Sequence, residues 1–120
     1  MDRSLRMINA AKMLLNTGEY DIAVLLAIQA IEMCIKAKLL EKLGSIPRVK
    51  PLRRLFNELE TAFKDRKNDI RDFFTKNKSM FVMIEEAYIS LRYLDRLIAE
   101  EEASKIVGFA EKVIDFAKKL

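Results

Sequence analysis

Histidine is absent from this 120-residue chain. That absence removes Ser-His-Asp and Cys-His nucleophilic triads, imidazole metal sites and histidine proton transfer. Cysteine occurs once, at Cys34, so no intramolecular disulfide can form. A zinc site would have to be built almost from carboxylates alone, and the expectation is no metal and no cofactor. A lone cysteine inside an apolar run reads as a small core hydrophobe, and such cysteine usage suits a reducing cytoplasm. Three glycines and two prolines leave little punctuation, which argues for a few long helices. The N-terminal "MDRSLRMINAAKMLL" is not expected to be a signal peptide, because charges are threaded through its apolar residues. The most apolar run, Ile22 to Ile35, is too short to span a bilayer and contains Gln29 and Glu32. The expectation is a soluble, cytoplasmic protein without membrane contact.

What is present suffices for one domain over residues 1–120. Hydrophobic residues make up 51% and charged residues 33% of the chain, too apolar for disorder. A chain of this length buries roughly 65% of its unfolded surface, enough for a core without staples. The net charge of +4 is unevenly spread. Residues 45–78 carry ten Lys/Arg against five Asp/Glu, whereas 79–120 carry six against eight. The basic residues of the middle third run from Arg48 and Lys50 through Arg53 and Arg54 to Lys76 and Lys78. This excess fits an anionic partner such as nucleic acid, and it equally fits a solvated helix face.

Periodicity assigns the elements. Leu5, Ile8, Ala11 and Leu15 recur at helical spacing and predict a helix over 2–16. "NTGEYD" is a tight turn in which Gly18 is free to take positive φ. A second helix over about 20–43 carries three apolar stripes. Ala23, Ala27, Ala30, Cys34 and Ala37 form a stripe of small side chains; Ile22, Leu26, Met33 and Leu40 form another; Leu25, Ile28, Ile35 and Leu39 form the third. A helix apolar on nearly all sides is surrounded by neighbours of its own chain or of a second copy. Gly44 suits its C-terminal cap. "GSIPRVKP" then makes a connector to a helix over 52–64. Periodicity resumes over 70–94 with an interruption near "TKNKS", breaks near 95–97, and a last helix runs to 118. No segment alternates with period two. The fold class is all-α, an up-and-down bundle of four long helices with one shorter one.

Polar residues inside apolar faces mark the candidate site. Gln29, Glu32 and Lys36 share one face of the second helix at offsets 0, +3 and +7, and Lys36 stands at i+4 from Glu32. Glu85, Tyr88 and Arg92 share a face at the same offsets, with Tyr93 adjoining. A guanidinium forks two hydrogen bonds to a carboxylate or a phosphate. Arg92 is thus either an inter-helix bridge to Glu32 or Glu85, or an anion-facing cation flanked by tyrosines that stack on a base.

Three segments, "GEYDIAVLLAIQAIEMCIKAKL", "PRVKPLRRLF" and "AYISLRY", resemble in order and spacing those of the HEPN family of small helical domains. The resemblance covers nearly the whole chain. It implies a nucleotide-associated helical module, often dimeric and often paired with a minimal nucleotidyltransferase, as in toxin-antitoxin pairs. It draws attention to Tyr20, Gln29, Glu32, Lys36, Tyr88, Arg92 and Tyr93 as ligand-binding residues, for a nucleotide, a phosphate or RNA. Two departures concern Lys50, where family members often have His, and Leu94, where Pro often follows "RY". A third is chemical: family ribonucleases carry His four to six residues after the Arg, and Arg92 is followed there by Arg96, Leu97 and Ile98. RNA cleavage of the family type is therefore not expected, and no catalytic residue is assigned. The alternatives are a purely structural, dimeric interaction protein with no small ligand, and a divergent ribonuclease that replaces His by Lys or Tyr.

Overall fold

Two glycines with left-handed backbone frame the longest helix, Gly18 at φ 82° and Gly44 at φ 78°. The computed structural model describes residues 1–46, 48, 51–94 and 97–120. At the first glycine, the Gly18 amide bonds to the Leu15 carbonyl and the Glu19 amide to Leu14. That pair of bonds closes helix α1 (Asp2–Asn16) in a Schellman motif and turns the chain back on itself. Helix α2 (Tyr20–Leu43) ends where the Gly44 amide bonds to the Leu40 carbonyl. The bounds of both helices agree with the periodicity of the sequence.

The remaining helices are α3 (Leu52–Ala62), α4 (Lys67–Lys76), α5 (Lys78–Tyr93) and α6 (Glu100–Lys118), with a 3-10 turn at Lys64–Arg66. No strand occurs among the described residues, and the fold is all-α. The stretch expected over 70–94 is divided within "TKNKS", so the described residues form six α-helices instead of four long ones and one shorter one. The divider is Asn77. Its side-chain Nδ2 donates to the Phe73 carbonyl at 2.8 Å, the acceptor an uninterrupted helix would leave to the backbone. Its Oδ1 accepts from Lys112 Nζ of α6 at 3.1 Å, which pins the joint to the opposite side of the bundle. The expected connector at 47–50 and break at 95–97 fall partly outside the described residues, as do Lys50 and Arg96.

Helix α2 is the axis on which α1, α3, α5 and α6 pack. Ala23, Ala27, Ala30 and Cys34 are wholly buried, so the small-residue stripe is where backbones come close. The Ile28, Ile35 and Leu39 stripe is buried too. The remaining stripe stays open: Ile22 is 43% and Leu40 46% exposed, and Leu43 beyond them is exposed as well. The far end of the core is aromatic. Phe56, Phe73, Phe74, Phe81, Phe109 and Phe116 form one connected set across α3, α4, α5 and α6, with neighbouring centroids 4.3–6.2 Å apart. Each such pair adds about 0.5–1.5 kcal/mol beyond the area it buries. No helix among the described residues is long and apolar enough to cross a membrane.

Candidate functional site

The candidate site lies where α2 and α5 run past each other beside the start of α3. Helix α5 ends at Tyr93, and its last turn presents Arg92 outward because the core-facing positions of that helix are Phe81, Ile84 and Ala87. Arg92 Nη1 donates to the Tyr88 hydroxyl at 2.5 Å, one turn back on the same helix. Its guanidinium carbon stands 5.4 Å from the Tyr88 ring centroid and 5.8 Å from that of Tyr93. The bond to Tyr88, with the neighbouring Tyr93, raises the arginine's pKa further, so the cation persists at every working pH. Tyr93 is 73% exposed.

Neither carboxylate expected as a bridge to Arg92 takes that role. Glu85 is paired with Arg53 of α3, whose Nη2 lies 3.4 Å from each carboxylate oxygen. Glu32 is half-buried and has no hydrogen bond or ion pair among the described residues. Lys36, one turn along α2, does not reach Glu32 either; the nearby ion pair on that helix is Lys38 with Glu41 at 3.7 Å. Arg92 is exposed on the last turn of α5 and is engaged by Tyr88 of its own helix.

Six of the seven residues singled out in the sequence lie on one continuous stretch of surface. Gln29, Glu32 and Lys36 line an open groove of about 430 Å³, floored by Met33, Leu40 and Ile46. Glu32 is also a wall of a second, more enclosed cavity of about 280 Å³, where Tyr88 faces it across Ile28, Leu52 and Ile84. Tyr88 leads on to Arg92 and Arg92 to Tyr93. Tyr20 stands apart in a different depression beside Gly18, Leu91, Leu94 and Leu97. Sequence reasoning missed Pro51 and Ile89, which line the enclosed cavity. A proline in a connector gives no sign of which helices it will face, and Ile89 lies off the core stripe.

The basic middle third is partly neutralised by its own neighbours. Arg53 pairs with Glu85, Arg66 with Asp69, Arg71 with Glu60 and Lys76 with Asp72. Arg48, Arg54, Lys64, Lys67 and Lys78 make no ion pair among the described residues, and each is exposed. Among the described residues no group of three Cys, Asp or Glu side chains is placed to hold a metal ion. Cys34 is buried beside Met1, toward whose Sδ its thiol points at 3.5 Å, and burial pushes its pKa up to about 11. That thiol is packing, as its place in the apolar run predicts.

A protein-family model, that of the HEPN domain, matches residues 1–120, the whole chain. No curated protein and no solved structure matches the chain.

Proposed function

The chain belongs to the HEPN domain family, and from that premise we propose that it is a non-catalytic module that binds a nucleotide or another phosphate-bearing ligand at Arg92. The observation that carries this reading is the free side of that arginine. One nitrogen is engaged by Tyr88, no carboxylate among the described residues pairs with the charge, and two tyrosine rings stand beside it. A guanidinium so placed offers its remaining donors to phosphate oxygens, and exposed Tyr93 offers a face on which a base stacks. Lys36 and Gln29, across Glu32, supply a second cation and an amide toward the same surface.

Family resemblance supplies the rest of the proposal. The module works beside a minimal nucleotidyltransferase, in a toxin-antitoxin-like pair, and as a homodimer. The open stripe of α2 supports the homodimer, since Ile22, Leu40 and Leu43 are large apolar side chains that the chain leaves in water. A stable interface needs about 800 Å² from each partner, so these residues would have to be joined by neighbouring surface. The competing reading, an interaction protein with no small ligand, draws on the same open stripe. A divergent ribonuclease has less support, because the chain has no histidine, the side chain most often used for general acid-base transfer.

Titration of ATP into the pure protein, followed by tyrosine fluorescence, tests the ligand. Saturable quenching below millimolar ATP, with a mixed RNA ladder left intact, is the expected result. No quenching at millimolar ATP would leave the interaction protein as the reading, and shortened RNA would restore the ribonuclease.

A further inference from the structure

The enclosed cavity between α2, α3 and α5 is chemically opposite to the surface at Arg92. Its interior is apolar, from Ile28, Leu52 and Ile84, and its polar groups are two carboxylates and a phenol, Glu32, Glu85 and Tyr88. Glu85 is already shared with Arg53, at 3.4 Å. Glu32 is half-buried and has no hydrogen-bond or ion-pair partner among the described residues. Leaving a carboxylate partly desolvated without a partner is unfavourable, and a cation entering from outside relieves that.

Size narrows the occupant. At about 280 Å³ the cavity is at or below the roughly 300–1,000 Å³ of ordinary small-molecule sites. It takes a group the size of one side chain and excludes a whole nucleotide. Charge narrows it further, because a phosphate or carboxylate inside would meet Glu32 and Glu85 with like sign. The apolar walls call for a methylene stem, and the Tyr88 ring adds an aromatic surface that attracts cations.

We propose that this cavity is a binding site for an alkyl-guanidinium or alkyl-ammonium group, whose charged head is taken by Glu32 and whose stem lies against Ile28, Leu52 and Ile84. A free amine such as agmatine and an arginine or lysine side chain of a partner protein share that chemistry. The site does not depend on a nucleotide at Arg92. The two meet at Tyr88, whose ring lines the cavity while its hydroxyl accepts from Arg92.

The test is a titration of the full chain with n-butylguanidinium, read by amide chemical shifts and calorimetry, with 1-butanol as the uncharged control. Saturable binding is expected, with shifts at Ile28, Ile84 and Tyr88 and none of this with butanol. Glu32→Gln is expected to weaken it about tenfold or more, the loss typical of a charge-assisted contact. Ile89→Trp, at a half-exposed position on the cavity's rim, blocks entry without touching the core and serves as a second variant. Arg92→Ala is expected to remove ATP binding and leave n-butylguanidinium binding intact, so the two proposals fail separately. Agmatine outcompeting an arginine-containing tripeptide, or the reverse, identifies the source of the group. Equal binding by Glu32→Gln, equal binding of butanol, or no binding by wild type at millimolar concentration would each overturn the proposal.

Discussion

Arg92 donates to the Tyr88 hydroxyl at 2.5 Å, and among the described residues no carboxylate lies within ion-pair distance of it. The arginine is therefore held by a neutral group of its own helix, and no described carboxylate offsets its charge. An arginine that stitched two helices together would be neutralised and covered, and this one is exposed.

Asn77 is the joint of α4 and α5, and its replacement should be felt across the bundle. Asn77→Ala removes the bond to the Phe73 carbonyl and the acceptor for Lys112. The Phe73 carbonyl keeps the Asn77 amide at 3.2 Å, so the expected cost is about 1–2 kcal/mol. Urea unfolding midpoints of the two proteins measure it.

Ser4 makes an opposite prediction. Its side chain is fully buried and the hydroxyl has no hydrogen-bond partner. Ser4→Ala removes an unpaired polar group from the core, so stability should rise by about 1 kcal/mol. A loss of stability in the same urea experiment would show that the hydroxyl is satisfied in solution.

Cys34 should be inert to alkylation at neutral pH, because burial raises its pKa to about 11 from an unperturbed 9.0. The folded state thus holds the thiol's proton to higher pH than the unfolded chain does. Its contribution is present in full below about pH 9 and is lost as the pH rises through 11. Wild type should lose more stability between pH 8 and 11 than Cys34→Ala does, and the difference between their denaturation midpoints isolates the thiol. Iodoacetamide labelling that is fast at pH 7.5 without denaturant would contradict the burial.

Much of the fold is legible in the sequence because its punctuation is sparse and local. Gly18 and Gly44 sit at the two positive-φ positions that bound α2. The small-residue stripe of α2 announces where backbones come close. Asn77 is harder to read, because an asparagine between Lys76 and Lys78 resembles any exposed polar residue until Lys112, 35 positions away, is brought to it. The site divides along the same line. The 0, +3, +7 spacing correctly groups Gln29 with Glu32 and Lys36, and Tyr88 with Arg92, since these groupings lie within single helices. Which carboxylate meets which arginine depends on how helices pass one another. Glu85 therefore goes to Arg53, a partner that periodicity does not suggest. Tyr20, placed with the others by motif resemblance, opens α2 well before Glu32 and lines a separate depression.

The most direct test of the account is ATP binding by wild type and by Arg92→Ala, with circular dichroism melts of both. The account predicts that wild type binds, that the variant does not, and that the two melt together. A wild type that fails to bind ATP, beside a variant whose melting temperature falls sharply, would contradict it and make Arg92 part of the scaffold.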